Sequence, residues 1–176
     1  MSGIATSSLA VLAPLKAGVQ ERLLAALEAL GRGEQSPFAR VPGTHFGRFA
    51  LVPALKDPAG AVIESEGSFL LMCADFDPSP SQWTASLCAR AGAELDAVMG
   101  HCDGFPGSGD PSGVDAYLAA HNAAPGFTVA GYRRSSVAEV RAALRLRRAL
   151  QELAGRVQAE NLDGAALRRA WREAVG

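Results

Sequence analysis

The chain predicts an α+β domain: an antiparallel sheet laid down in the order β-α-β-β-α-β, helices on one face, and extra helices at the C-terminus. Three observations lead there. Short apolar runs of strand length alternate with stretches of 3.6-residue periodicity. Clusters of Gly, Pro, Asp and Ser separate them. Two β-α-β units sharing a central hairpin then bring that order into one sheet.

The elements follow in sequence. Leu9 to Leu15 (LAVLAPL) is apolar on both parities and fits a buried strand, with Pro14 near its end. Over Ala17 to Leu30, Val19, Leu23, Leu27 and Leu30 make one helical stripe, and Gly31 and Gly33 stop it. Arg32 to Gly43 is a connection. Thr44 to Val52 (THFGRFALV) reads as a strand, with His45, Gly47, Phe49 and Leu51 on one face and Thr44, Phe46, Arg48, Ala50 and Val52 on the other. Pro53 to Gly67 suits a long hairpin loop. Ser68 to Phe76 (SFLLMCADF) is apolar on both faces, so both should be covered.

The second half begins with a helix entry at Asp77 to Ser81, capped by Ser79 or Ser81. Trp83, Leu87, Ala91, Leu95 and Val98 form the buried stripe of the helix that runs to about Met99. Residues 100–113 read as a loop, Val114 to His121 as a short helix, and Phe127 to Tyr132 as the fourth strand. Ser136-x-x-Glu139 is a capping box opening a helix. Asp163 caps a last one, Gly164 to Val175, with Leu167, Trp171 and Val175 on one stripe. Residues 1–155 thus form the α+β domain and residues 156–176 a helical extension.

Composition narrows the class. With 176 residues, 48% hydrophobic and 20% charged, the chain suits one globular domain with a full core. Its net charge of -1 gives no global attraction for nucleic acid or acidic lipid. From Arg133 onward ten arginines stand against five acids, or +5, which leaves -6 for the rest. This basic helical layer suits self-neutralising surface pairs or an acidic protein partner. Nucleic-acid binding through it is a weak third reading, without aromatic strands to support it. Cys73, Cys88 and Cys102 are an odd number without a C-x-x-C pair, which points to reduced thiols and a cytoplasmic location. Met1 to Ala13 makes a poor signal peptide, and no apolar run approaches a membrane span.

The layout over residues 9–152, with strands apolar on both faces, resembles the dimeric α+β barrel superfamily of ferredoxin-like domains. The segments THFGRF (Thr44 to Phe49) and HCDGFP (His101 to Pro106) are the nearest local matches. The resemblance implies two sheets paired face to face in a homodimer or larger oligomer. That superfamily includes small monooxygenases, chlorite dismutases and dye-decolorising peroxidases, so haem or an aromatic substrate on the sheet face is an expectation.

The residues that could carry chemistry are few. His45 shares a strand face with Gly47, whose missing side chain leaves room for a ligand or a neighbouring aromatic. Arg48 could orient a carboxylate or propionate. His101, Cys102 and Asp103 lie together on a Gly-rich loop, although three consecutive residues match no zinc pattern. Asp75 and Asp77, two apart, could share a strand face. Each also has a plainer reading as core, cap or solvated surface. The candidate catalytic set is therefore His45, Arg48 and His101, with His45 or His101 as axial ligand if haem binds. The candidate ligand-binding set is Phe46, Phe49, Met72, Cys102 and Asp103. The leading functional expectation is a small-molecule-binding or assembly domain accessory to a larger enzyme system. The alternative is a haem- or aromatic-substrate-binding oxidoreductase.

Overall fold

The computed structural model describes residues 6–53, 55–56, 62–63, 67–77, 79–123, 135–160 and 162–175. They form two compact units, Met1–Arg134 and Ser135–Gly176. The long helix after Ser136 therefore groups as a whole with the last helix instead of being divided near residue 155.

In the first unit the order is β1 (Ser7–Pro14), α1 (Gln20–Ala29), β2 (Thr44–Val52), β3 (Leu55–Lys56), β4 (Val62–Ile63), β5 (Phe69–Phe76), α2 (Pro80–Met99) and α3 (Pro111–Ala120). Short 3-10 turns at Gly33–Gln35 and Pro37–Arg40 join α1 to β2. The two-residue strands β3 and β4 pair inside the long hairpin connection. The main sheet has the order β1-β5-β2, antiparallel throughout.

This overturns the four-stranded ferredoxin-like sheet: among the described residues the main sheet has three strands. The expected fourth, Phe127 to Tyr132, lies outside the described residues. The outer edge of β1, where a fourth strand would pair, is already bonded to loop and helix-end backbone. Ala10 N–H donates to Asn122 Oδ1 (3.0 Å), and Ala10 carbonyl accepts from Ala123 N–H (2.8 Å). Leu12 N–H donates to His121 carbonyl (3.0 Å), Asp103 N–H to Pro14 carbonyl (2.9 Å), and Lys16 N–H to His101 carbonyl (3.0 Å). Buried backbone groups need partners, and these segments supply them. The missing N–H of Pro14 falls on this edge, so no bond to β5 is lost.

Alternation along β5 sets the core. Leu70, Met72, Ala74 and Phe76 are buried, together with Leu9, Val11 and Ala13 of β1. Against them lie Val19 and Leu23 of α1, the α2 stripe Trp83, Leu87, Ala91, Leu95 and Val98, and Val114 and Leu118 of α3. The helices of this unit thus cover one sheet face; the α2 stripe is the one read from the sequence, and of the α1 stripe Val19 and Leu23 are buried while Leu27 and Leu30 are partly so. Trp83 stacks on Phe76 with centroids 4.4 Å apart, and its indole N–H donates to Thr44 Oγ1 at 2.9 Å. Helix α3 starts three residues earlier than Val114, because Pro111 occupies its first turn and Asp110 accepts from Gly113 N–H (2.9 Å).

The Trp83 bond also corrects the faces of β2. The register shifts between Thr44 and Phe46, so Thr44 stands opposite Phe76 on the helix side and His45 is the extra residue of a bulge. Phe46, Arg48, Ala50 and Val52 keep the opposite face. There they continue the rows of β1 and β5: Ala10, Cys73, Arg48; then Leu12, Leu71, Ala50; then Pro14, Phe69, Val52. Apart from exposed Arg48, those residues are only half-buried. The second sheet face is apolar, as expected.

The second unit is a helical hairpin of α4 (Val137–Glu160) and α5 (Gly164–Val175). Both expected caps form. Glu139 N–H donates to Ser136 Oγ (3.1 Å) and Ser136 N–H to Glu139 Oε2 (2.8 Å). Asp163 Oδ1 accepts from Ala165 N–H (2.9 Å) and Ala166 N–H (2.8 Å).

Gly47 is fixed by packing. A Cβ there would overlap the ring of Phe38, which is buried and lies 5.1 Å from the Phe49 ring. Gly47→Ala should therefore lower the unfolding free energy by about 1–3 kcal/mol, the usual range for overpacking, measured by urea denaturation. A neutral result would mean that Phe38 can step aside.

Candidate functional site

A groove of ≈ 470 Å³ opens along the free edge of β2, between that strand, α1 and the turns that join them. Its size falls in the range of small-ligand pockets. Leu24, Leu27, Leu30, Phe38 and Phe49 supply its apolar walls, and Glu28, Arg32 and Arg48 its charges. Each wall has a local cause. Leu27 and Leu30 follow the buried stripe of α1 toward the surface, while Leu24 sits one step round the helix and is 45% exposed. Gly31 must lack a side chain, because a Cβ would meet the backbone of Gln35 in the tight turn that brings Arg32 to the rim. Phe38 lies flat over β2 only because Gly47 leaves room. Of the two uses the sequence suggested for that space, the neighbouring aromatic is the one found. Arg48 belongs by register to the opposite face, and it lines the groove from β2, an edge strand among the described residues. Neither arginine has an ion-pair partner among the described residues.

Two of the residues singled out in the sequence therefore meet here, Arg48 and Phe49. The others go elsewhere. His45 sits on the bulge, where its Nε2 lies 2.5 Å from Asp77 Oδ1. His101 lies beside Lys16, past the opposite end of β1. Eight residues of strand separate the two levels, roughly 25 Å at about 3.3 Å per residue. The sheet thus holds His45 and His101 apart, at opposite ends and on opposite edges. Neither histidine lines the groove, so a haem bound in it would find no imidazole from the described residues. Phe46 is 47% exposed on the open sheet face. Met72 is fully buried on the helix side. Asp75 accepts from Ser8 Oγ (2.5 Å) while Asp77 meets His45, so the two carboxylates take separate partners.

The loop after α2 is a structural joint. Cys102 is fully buried in the core, and burial pushes its thiol up to about 12. A thiol held protonated cannot act as a nucleophile near neutral pH. His101 is held below its usual range, chiefly by burial and then by the charges of Arg22 and Lys16. Tyr117 donates its hydroxyl to Asp103 carbonyl (2.9 Å), and burial keeps that hydroxyl protonated to well above the usual tyrosine range. Among the described residues no group of three or more His, Cys, Asp or Glu is arranged to hold a metal ion. No helix among them is long and apolar enough to cross a membrane.

The sequence reading missed Arg32, Glu28 and the α1 wall. The signal was present in Leu24, an apolar residue outside the buried stripe, followed by the Gly31-Arg32-Gly33 turn. No family model, no curated protein and no solved structure matches the chain.

The buried thiol has a pH signature. Its folded value lies above that of an unfolded cysteine, so the folded state holds the proton longer. Stability should be unaffected by this group below pH ~8.5 and fall between there and pH ~12, by at most about 1.4 kcal/mol per pH unit. Denaturant unfolding across that window should show this slope, and Cys102→Ala should flatten it while imposing a constant offset. An unchanged slope in the variant would assign the alkaline loss to other groups.

Proposed function

We propose that the first unit is a small-molecule-binding domain, and that its groove takes an elongated apolar ligand ending in a carboxylate. One observation carries this reading: two arginines without ion-pair partners among the described residues flank a wall of Leu24, Leu27, Leu30, Phe38 and Phe49. Apolar walls give affinity, and a few charges fix orientation. Arg32 and Arg48 suit a carboxylate because a guanidinium offers paired donors in one plane. Decanoate serves as the probe and decanol as its uncharged control, each followed by displacement of a fluorescent apolar anion. Decanoate should bind at least about tenfold more tightly than decanol, since a charge-assisted hydrogen bond contributes about 1.5–3 kcal/mol. Arg32→Ala and Arg48→Ala should each erase most of that difference. Equal binding of acid and alcohol, or binding of neither, would remove the proposal.

A second reading, assembly through a homodimer, rests on the open sheet face. Next to its apolar rows Leu12, Leu71, Ala50 and Pro14, Phe69, Val52 come the rows Ala10, Cys73, Arg48 and Ser8, Asp75, Phe46, which add one charge of each sign. Two copies facing one another would meet no excess of like charge and could pair crosswise. This is the face-to-face pairing that the superfamily resemblance implies. Sedimentation should then show a dimer that Leu71→Lys converts to monomer with the circular dichroism unchanged. A wild-type protein that stays monomeric at high concentration would exclude it.

A further inference from the structure

The helical hairpin carries a second groove, independent of the ligand site. Leu150, Leu153, Ala154 and Val157 of α4 recur at helical spacing along one side, and Leu167 and Trp171 of α5 face them across ≈ 810 Å³. Trp171 is 51% exposed and Leu167 38%. Large apolar side chains gathered in an open groove mark interaction surfaces, and Trp and Arg are the residues that dominate such surfaces energetically.

Charge separates the two sides of this hairpin. On one side the arginines are neutralised: Arg156 lies 3.6 Å from Glu160 and 3.9 Å from Glu173, which ties α4 to α5, and Arg148 pairs with Glu152 at 3.3 Å. A smaller cavity of ≈ 240 Å³ lies there, lined by Glu152, Arg156 and Glu173 as well as alanines. The apolar groove is flanked instead by Arg168 and Arg172, and neither has a carboxylate partner among the described residues. Arg172 Nε donates to Arg168 carbonyl (3.2 Å), which holds that side chain along the helix and leaves its terminal N–H groups for another acceptor. Over residues 135–176 eight arginines face five acids, a net +3.

We infer that this groove docks an amphipathic helix of a partner protein, with leucine-type side chains on the Leu153, Val157, Leu167 and Trp171 floor and glutamates or aspartates on Arg168 and Arg172. Helix-in-groove recognition has this form, and a third helix turns a two-helix hairpin into a bundle with a closed core. A second copy of this hairpin fits poorly, because two-fold pairing would bring Arg168 and Arg172 of both copies into one groove. The floor is apolar where a nucleic-acid backbone would need donors.

The test uses the full chain and two fluorescein-labelled peptides of about 16 residues, a length at which a helix forms readily on docking. Both carry leucines at i, i+3, i+4 and i+7; one has glutamates flanking the stripe, the other lysines. The glutamate peptide should raise anisotropy at micromolar protein and bind at least about tenfold better than the lysine peptide, the factor expected when charge pairs are satisfied at a groove rim. Arg168→Glu with Arg172→Glu should reverse that preference. Trp171→Ala should weaken both peptides, and circular dichroism verifies that each variant is folded. Equal binding of the two peptides, binding of neither, or a preference that survives the charge reversal would overturn the inference. So would dimerisation abolished by Trp171→Ala, which assigns the groove to a second copy. Sedimentation with anionic phosphatidylglycerol vesicles in the absence of peptide binding would assign it to lipid.

Discussion

Trp83 is the contact on which the first unit depends. Its ring lies on Phe76 of the central strand, and its indole N–H is satisfied by the Thr44 hydroxyl of the edge strand. One side chain thereby fixes α2 against two strands at once. A buried indole needs an acceptor, and providing one turns Thr44 inward. Phe46 onward keep the alternation that buries Phe49 and Leu51 toward the helices, so a bulge must intervene between them. The extra residue is His45, and its exposure at the rim follows from the demands of a tryptophan on another element.

The same constraint runs on to the groove. With the β2 register set, Gly47 comes to lie under Phe38, and the aromatic pair Phe38 and Phe49 closes the inner end of the cleft. Gly31 lets the chain turn sharply enough to place Arg32 at its rim. The groove is thus a by-product of how α1 is joined to β2, and it lies along an edge that the sheet leaves unpaired among the described residues.

Local pattern was legible in the sequence. The apolar stripes of α1 and α2, the capping box at Ser136 and the Asp163 cap all appear where periodicity and short-range hydrogen bonding place them, whereas the burial of β5 alternates although its sequence is apolar on both faces. Long-range relations were less so. Alternation alone put Thr44 and His45 on the wrong sides, because a bulge is decided by a partner on another element. His45 and His101 were both candidates, and the sequence left open whether they approach each other, because it does not say which end of a sheet each will reach. The expected fourth strand, Phe127 to Tyr132, lies outside the described residues, and among those the β1 edge is met by the backbone around His101 to Asp103 and His121 to Ala123. Arg48 and Phe49 were found as residues, but the groove that unites them also needs α1 and the turn after it.

That closure of β1 is written almost wholly in main-chain atoms. Carbonyls and amides of four loop and helix-end residues, with one side-chain amide from Asn122, meet the strand between Ala10 and Lys16. Main-chain pairing is blind to side-chain identity, so most positions on both partners are free to drift without reopening the edge. Asn122 is the exception, since its Oδ1 is the acceptor that Ala10 N–H finds among the described residues. Sequence diversity in relatives of this chain should therefore be wide around the β1 edge and narrow at that one asparagine.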